Sequence, residues 1–329
     1  MNKVKGYLPG VLVSLIVASI AYELGVQVPV VGGPVLGIVL GILIASTLAL
    51  PAMLNQGIKF TSKYILQLAI ILLGFDVNMA SIIKVGQESL VVLAVTLSAA
   101  FLTAYLVGKS LTISGKLSTL IGVGTAICGG SAIAAASSAI DAEDQDISYS
   151  ISTIFLFNVI AVFLFPAIGH LLRLSDTGFG MWAGTAINDT SSVVAAAFSY
   201  SDAAGSFATI VKLTRSLMIV PVTLALAIIF SRGNNGANKF NFAKVFPWFI
   251  LGFLLAAVIR SLSIIPVTIA GSLAWTGKFL IIAAMSAIGL NTNIRTFIKA
   301  GPRALLLGAA TWITVAISSL MIQFFLQTL

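Results

Sequence analysis

The sequence predicts an all-α polytopic membrane protein of about eleven transmembrane helices, built from inverted repeats with interrupted helices. Of the 329 residues, 59% are hydrophobic and only 9% are charged, whereas a soluble domain carries about 25% charged residues. Apolar runs of about 20 residues, the length that spans a bilayer as a helix, recur along the whole chain. No polar tract is long enough for a soluble domain, so residues 1–329 are predicted to form a single integral membrane domain.

The apolar runs divide the chain into eleven predicted spans. Their approximate limits are 8–24, 34–50, 63–83, 89–110, 117–140, 148–172, 178–200, 206–231, 245–262, 273–295 and 303–327. An odd number of spans places the two termini on opposite sides of the membrane. With these limits most of the 18 basic residues fall on the side of the N-terminus, and the acidic loop around Asp144 falls on the other side. Because basic loops stay in the cytoplasm, the N-terminus is predicted to be cytoplasmic.

Two stretches in the middle of apolar spans share a pattern. Residues 124–136 read GTAICGGSAIAAA, and residues 184–196 read GTAINDTSSVVAA. Irregular backbone is tolerated at membrane depth only inside protein or beside a wet cavity, and in secondary transporters such interruptions at matching places indicate a binding site. We therefore predict a site between the two stretches. The topology makes their spans parallel, so a permuted repeat, a half-helix in one copy and convergence all remain open.

The predicted substrate-binding residues come from both stretches. They are Thr125, Cys128, Gly129, Gly130 and Ser131 in the first and Asn188, Asp189, Thr190 and Ser191 in the second. A carboxylate such as that of Asp189 costs about 2.5–3.5 kcal/mol in the middle of a membrane helix, which favours a ligand for substrate, proton or sodium. The alternatives are a structural hydrogen-bond node in the second stretch and tight helix packing through small residues in the first.

Two cations in the predicted eighth span indicate the charge of the substrate. Lys212 and Arg215 are three residues apart, so they share a helix face. Cations inside a membrane usually face a bundle interior or a cavity, and a guanidinium suits bidentate binding of oxyanions and carboxylates. Both residues are therefore predicted to bind an anionic substrate. The alternatives are snorkelling of Lys212 to the interface and neutralisation of Asp189.

A longer repeat relates the third and tenth predicted spans. Residues 63–88 align without gaps with residues 278–303, and the shared positions include the pairs Gly74–Gly289, Asp76–Asn291 and Asn78–Asn293. The two spans cross the membrane in opposite directions, as the inverted repeats of secondary transporters do. Asp76, Asn291 and Asn293, together with Asp189, are candidates for coupling an ion. Helix capping is the alternative, and we favour it for Asn78 and Asn293.

Several functional classes find no support in the sequence. No HExxH, nucleophile elbow or P-loop occurs, so an enzyme is not expected. The single cysteine, Cys128, excludes an internal disulfide and a thiolate metal cluster. No bound metal or other cofactor is expected, apart from coupling by Na+ or H+. A basic stripe with interleaved aromatic residues is also missing, so nucleic acid is not an expected partner.

Four strings in the sequence are similar to a known family. They read GTAICGGSAIAA, DAEDQDISYSISTIFLFN, WAGTAINDTSSVVAAAFSYSDAAGSFATIVKLTRSLMIVPV and AAMSAIGLNTNIRTFIKAG. They resemble the YeiH-like sulfate exporter family of bacterial inner-membrane proteins, and the likeness runs from about Gly33 to the last span. One departure is Asn188, where the family often has histidine, so a histidine-based proton role is excluded there.

The resemblance implies a fold as well as a function. The family is similar to the group of bile acid–sodium symporters and sodium–proton antiporters, which implies ten core helices in two inverted five-helix repeats. It also implies panel and core helix bundles, interleaved in sequence, with helices that cross at broken segments. The family label implies a small anion such as sulfate, a sulfonate or another oxyanion.

These observations lead to two main hypotheses. The first is a secondary active transporter of a small anion that works by alternating access. The alternative is a cation–proton antiporter on the same scaffold, with Asp189 as the carrier. A non-transporting receptor or scaffold is disfavoured, because two interrupted spans would then have no purpose. The expected partners are the small anion and the lipid bilayer, and a homodimer is left open.

Overall fold

A computed structural model describes residues 2–28, 31–48, 50–231, 246–292 and 301–329 of the chain. Within those ranges every regular element is a helix and no strand occurs. The predicted all-α class is therefore confirmed. The helices are α1 Asn2–Gln27, α2 Gly33–Thr47, α3 Asn55–Phe60, α4 Leu66–Leu73, α5 Met79–Ser110, α6 Gly115–Ala126, α7 Gly130–Ile140, α8 Asp144–Leu171, α9 Asp176–Ala186, α10 Thr190–Tyr200, α11 Asp202–Leu217, α12 Ile219–Ser231, α13 Phe249–Ser261, α14 Val267–Leu290 and α15 Pro302–Leu326.

Seven helical segments in the described part of the chain are long and apolar enough to cross a membrane. They are Gly6–Gln27, Ala52–Asp76, Met79–Ser110, Asp144–Leu171, Asp202–Phe230, Val267–Leu290 and Pro302–Leu326. Shorter apolar helices, among them α2, α7 and α13, occupy other predicted spans. The protein is thus a polytopic membrane protein, and the count of eleven spans stays a prediction. The predicted fifth and seventh spans are wrong, because each consists of two short helices that fold back on one another. Nζ of Lys116 at the start of α6 donates a hydrogen bond of 2.5 Å to the carbonyl oxygen of Asp141 after α7, so the acidic loop lies at the same end as Lys116.

The boundary between the third and fourth predicted spans is wrong. Residues 52–76 are helical throughout, with a π turn at Thr61–Ile65 between α3 and α4, and the chain then leaves the helix at Val77. Asn78 begins α5, because its side chain accepts a hydrogen bond of 2.7 Å from the N–H of Ser81. Asparagine is among the preferred N-cap residues, which confirms the capping interpretation of Asn78. The predicted limits of 83 and 89 therefore fall inside α5.

The helices pack into two bundles. In the first bundle α14 packs along α1, α2 and α4, and α13 packs against α4. The second bundle contains α5 to α12 and α15, with α15 along α5 and α11 along both α9 and α10. Fewer contacts join the bundles, chiefly those of α10 with α2 and α14 and those of α13 with α5. The two bundles alternate along the chain.

The longer sequence repeat is visible as a reciprocal contact. A Cβ atom added to Gly74 would lie 2.4 Å from the carbonyl oxygen of Phe253, and one added to Gly289 would lie 2.4 Å from that of Ile38. The offset of 215 residues that relates the two glycines also relates Ile38 to Phe253. The repeat therefore extends to α2 and α13, beyond the stretch that the sequence comparison identified.

The two copies of this repeat run antiparallel in the first bundle. Gly277 of α14 packs against Ala69 and Leu73 of the 52–76 segment, and Lys278 lies 3.7 Å from Asp76 at the end of that segment. Lys63 lies thirteen residues before Asp76, and Asn291 lies thirteen residues after Lys278; both line a cavity described below. At 1.5 Å per residue this is about 20 Å away.

Candidate functional site

Both central motifs interrupt a helix at the same position. Helix α6 ends at Ala126 and α7 begins at Gly130, while α9 ends at Ala186 and α10 begins at Thr190. The break in the first copy passes through Gly129, whose φ of 69° and ψ of −130° suit glycine and few other residues. Each motif is therefore a helical hairpin with its tip at the break: the hydroxyl of Ser201 after α10 donates a hydrogen bond of 2.7 Å to Asp176 at the start of α9, as Lys116 and Asp141 join the ends of α6 and α7.

The second halves of the two interrupted helices begin side by side. A Cβ atom added to Gly129 would lie 3.5 Å from Cβ of Asp189 and 3.7 Å from Nδ2 of Asn158. The N–H group of Asp189 donates a hydrogen bond of 3.1 Å to Oδ1 of Asn158. Asn158, in the middle of α8, therefore lies at the junction of α7 and α10.

Lys212 of α11 binds the last carbonyl groups of both first halves. Its Nζ donates hydrogen bonds to the carbonyl oxygens of Ile127 at 2.8 Å and Ile187 at 3.0 Å, and a further one to that of Asn188. The side chain is fully buried. Helix C-termini carry unsatisfied carbonyl groups and a partial negative charge, so this ammonium group stabilises both ends at once.

Arg215 completes the same arrangement one turn further along α11. Its Nε donates to the carbonyl oxygen of Ala126 at 2.6 Å, its Nη1 to that of Ile187 at 3.0 Å, and its Nη2 to that of Thr125. Arg215 is also fully buried. The two cations that the sequence predicted as substrate ligands thus bind main-chain carbonyl groups in this structure.

A cavity of about 410 Å³ lies between the two bundles at the start of α7 and α10. The second bundle contributes Gly130, Ser131, Ile151, Ile154, Phe155, Asn158, Asp189, Thr190 and Ser191. The first bundle contributes Ser62, Lys63, Leu66, Gln67, Ile70, Phe249, Ile288 and Asn291. The cavity is therefore bounded by the N-terminal ends of two half-helices on one side and by the first bundle on the other.

The predicted site residues fall into two groups. Those that line the cavity are Gly130, Ser131, Asp189, Thr190, Ser191 and Asn291. Those that surround the breaks without lining the cavity are Thr125, Cys128, Gly129, Asn188, Lys212 and Arg215. Asp76 lies elsewhere, in an ion cluster, and Asn293 lies outside the described residues. The direct binding of substrate by any of these residues stays a prediction.

Sequence analysis missed several polar residues of the cavity. Asn158 stands alone in the apolar string FLFNVIAVF, and an intramembrane amide of that kind was a signal that could have been used. Ser62, Lys63 and Gln67 lie on or next to the π turn at Thr61–Ile65. Turns of this type are frequent at functional sites, but nothing in the sequence marks this one.

The starts of α7 and α10 differ in their caps. Asp189 caps α10, because its Oδ2 accepts a hydrogen bond of 3.0 Å from the N–H of Ser191 and another from the Ser191 hydroxyl. The matched position in the first copy is Gly129, which has no side chain to cap α7. A carboxylate therefore stands at one half-helix N-terminus and not at the other.

Asn188 has an unusual environment for an amide. Its side chain is fully buried, and among the described residues neither Oδ1 nor Nδ2 has a hydrogen-bond partner. A buried polar group without a partner is destabilising by about 1–3 kcal/mol. The matched residue of the first copy is Cys128, which is also buried.

A cluster of charged groups joins the bundles at some distance from the cavity. Lys278 of α14 lies 3.0 Å from the carboxylate of Asp202 and 3.7 Å from that of Asp76. The hydroxyl of Ser206 donates a hydrogen bond of 3.2 Å to Asp76. Because Asp202 and Ser206 belong to α11, the cluster ties the first bundle to the second.

The fold and the site define a polytopic helical membrane protein with two matched interrupted helices beside a cavity between its bundles. The family model described as "Conserved hypothetical protein 698" matches residues 9–308. The chain belongs to that family. Its curated relatives carry the name UPF0324 membrane protein, which is consistent with the YeiH-like resemblance.

The relatives match along nearly their whole length. A UPF0324 membrane protein of Clostridium tetani is 43% identical over an alignment of 336 positions, gaps included, which covers 97% of this chain and 97% of the relative. One from Streptococcus agalactiae is 42% identical, with 98% and 99% covered. One from Fusobacterium nucleatum is 43% identical, with 95% and 96% covered. No solved structure matches the chain significantly.

Proposed function

We propose that the protein is a secondary active transporter of a small anion and works by alternating access. One observation carries the proposal: at the paired breaks the negative helix ends are bound by buried cations, and the positive helix ends border the cavity. Lys212 and Arg215 donate hydrogen bonds to the carbonyl groups at the C-terminal ends of α6 and α9. The N-termini of α7 and α10 are left at the cavity wall, where the helix dipole favours an anion.

The division into two bundles supports alternating access. The cavity lies between the bundles, and fewer contacts join the bundles than hold each one together. Transporters with inverted repeats move one bundle against the other around a fixed site. The reciprocal contacts of Gly74 and Gly289 give this chain the internal symmetry that such a movement uses.

Asp189 provides a way to couple transport to a gradient. Its carboxylate lines the same cavity as the proposed anion site, and two like charges at a few ångströms repel each other strongly where water is scarce. Uptake of H+ or Na+ by Asp189 removes that repulsion, so the anion and the cation bind together. Asp76 is a less suitable carrier, because Lys278 and Ser206 already occupy it.

A cation–proton antiporter with Asp189 as carrier is the second candidate function. It is favoured by two oxygen atoms beside Asp189: Oγ of Ser191 donates to its carboxylate, and Oδ1 of Asn158 accepts from its N–H group. The two candidates differ in what Asp189 does alone. In an anion transporter the proton moves only when the anion is present, whereas an antiporter moves protons with cations and needs no anion.

Counterflow in proteoliposomes tests the proposal. Vesicles preloaded with sulfate or an alkylsulfonate are expected to accumulate the labelled anion, and a pH-sensitive dye inside is expected to report proton movement only when the anion is added. Asp189→Asn keeps the N-cap but loses coupling to the proton gradient. Glu88→Gln, an exposed change on α5, is the matched control. Proton movement driven by cations without any anion would reject the anion transporter and support the antiporter.

The location of the protein is part of the same proposal. The basic residues of the N-terminal side favour insertion into the bacterial inner membrane with a cytoplasmic N-terminus. A reporter fused to the C-terminus, active only outside the cytoplasm, is expected to be active. An inactive reporter would contradict an odd number of spans.

A further inference from the structure

The two half-helices at the cavity differ in a way that points to the substrate. At α10 the first N–H groups face the carboxylate of Asp189, with Oδ2 bound to the N–H of Ser191. At α7 the matched residue is Gly129, and the first two residues of the helix, Gly130 and Ser131, line the cavity. The protein therefore supplies an oxyanion to one N-terminus from its own chain, and supplies none to the other.

Asn158 presents a hydrogen-bond donor at that second N-terminus. The side chain is only 4% exposed, and its Oδ1 is occupied by the N–H of Asp189. For Nδ2 no acceptor is present in the described part of the chain, and this atom would lie 3.7 Å from a Cβ atom on Gly129. Because Asn158 lines the cavity, this donor is available to a ligand that binds beside the start of α7.

We propose that the substrate is a small organic anion whose single oxyanion head binds at the N-terminus of α7. The head, a carboxylate or a sulfonate, accepts hydrogen bonds from Nδ2 of Asn158, from the first N–H groups of α7 and from the hydroxyl of Ser131. It occupies at α7 the place that the Asp189 carboxylate occupies at α10. This inference rests on the proposed function, because it names the substrate class of the same site.

The rest of the cavity wall fits an apolar body. Seven apolar side chains line it, which are Leu66, Ile70, Ile151, Ile154, Phe155, Phe249 and Ile288. A volume of about 410 Å³ is within the range of pockets that hold organic ligands. Inorganic sulfate needs polar partners on every side, because burying a charged oxygen without them is highly unfavourable. Polar side chains also line the wall away from α7, namely Ser62, Lys63, Gln67, Thr190, Ser191 and Asn291. With seven apolar side chains among them, the wall suits an anion with one charged end and an apolar body.

Binding to the purified full-length protein tests the inference. The ligands are 1-propanesulfonate, butyrate, inorganic sulfate and uncharged 1-propanol, each measured by thermal shift and by calorimetry in detergent. Propanesulfonate and butyrate are expected to bind and stabilise the protein, sulfate to bind at least about tenfold more weakly, and propanol not to bind. The tenfold margin corresponds to about 1.4 kcal/mol.

Two variants and a matched control locate the oxyanion head. Asn158→Asp keeps the acceptor for Asp189 N–H and turns the free donor into a repelling oxygen, so affinity for propanesulfonate is expected to fall by about tenfold or more. Ser131→Ala removes an exposed hydroxyl and is expected to weaken binding by a few fold. Asn291→Asp adds the same charge at another part of the cavity wall and is expected to change affinity less than Asn158→Asp.

The outcomes separate this inference from the proposed function. Sulfate that binds more tightly than propanesulfonate, or equal effects of Asn158→Asp and Asn291→Asp, would overturn the assignment of the head and body. Absence of binding by either organic anion would overturn it as well. Sulfate counterflow without propanesulfonate binding would support the proposed transporter and reject the proposed substrate class. Propanesulfonate binding without counterflow would support the site and reject transport.

Discussion

The two interrupted helices share a break position and a pair of buried cations, but their second halves begin differently. Lys212 and Arg215 each bind carbonyl groups from both copies, so the first halves are treated alike. Asp189 caps α10, whereas Gly129 leaves α7 without a cap. The comparison teaches that two cations hold both breaks in the same way, whereas the residues at the starts of α7 and α10, which border the cavity, differ between the copies.

The largest expected effect comes from removing the cation that both copies share. Arg215→Ala leaves carbonyl groups of Thr125, Ala126 and Ile187 without their donors, and each buried group left unsatisfied is destabilising by about 1–3 kcal/mol. We expect a large fall in the thermal unfolding temperature of the purified protein. Arg215→Lys keeps the charge but not the planar guanidinium group, so its unfolding temperature is expected to lie between those of the unchanged protein and Arg215→Ala. Lys84→Ala, an exposed change, is the control, and an Arg215→Ala variant as stable as that control would contradict the shared role.

Adjacent glycines test whether the first break depends on backbone conformation. Gly129→Ala places a Cβ atom on a residue with a φ of 69°, and strain of this kind costs about 1–3 kcal/mol. Gly130→Ala is the matched control, because nothing lies within 4 Å of an added Cβ atom there. Gly130→Ala is expected to be neutral or slightly stabilising by thermal denaturation. Equal stability of the two variants would mean that the break does not need glycine.

The cap of the second break is expected to have a smaller effect. Asp189→Ala removes the acceptor for the N–H of Ser191, and loss of an N-cap destabilises by about 0.5–2 kcal/mol. Asp189→Asn should retain most of the stability, because asparagine caps about as well as aspartate. Thermal unfolding of the two variants checks this. Asp189→Asn as unstable as Asp189→Ala would show that the charge, and not the cap, stabilises α10.

The smallest expected effect comes from exchanging one matched pair of residues. Asn188→Cys gives the second break the residue that the first break has at Cys128, and removes an amide without partners. We expect stability to rise by about 1 kcal/mol, the lower end for an unsatisfied buried group. Chemical denaturation measures the change. A loss of stability would show instead that the amide of Asn188 binds a water molecule or an ion in the membrane.

The sequence predicted the breaks better than it predicted the cations. Glycine and polar residues repeated at one spacing within apolar spans are a local signal, so Gly129 and Asp189 were found at their correct places. The partners of Lys212 and Arg215 are main-chain carbonyl groups about 25 to 90 positions away in the chain. Every residue has a carbonyl group, so no residue type could identify those partners before folding.

Other features were hidden for similar physical reasons. Asn158 was missed because its importance comes from contacts made across helices, and the π turn at Thr61–Ile65 has no marker in the sequence. The limits of the third span were misplaced because the charged residues Lys84 and Glu88 indicated a loop, although they lie inside α5. The side chain of Asn78 starts that helix earlier in the chain. The limits of a span thus depend on one hydrogen bond that averaging over a window removes.

The lysine of the ion cluster, Lys278, has a sequence counterpart in the other copy of the longer repeat. Lys63 is the repeat partner of Lys278, yet it lines the cavity while Lys278 holds Asp202, the first residue of α11. In the alternating access proposed above, an exchange of conformations between the two copies would bring Lys63 to the acidic start of α8, where Asp144 is the first residue. The same exchange would separate Lys278 from Asp202. The proposed alternating access therefore predicts an ion pair between Lys63 and the start of α8 in the second state.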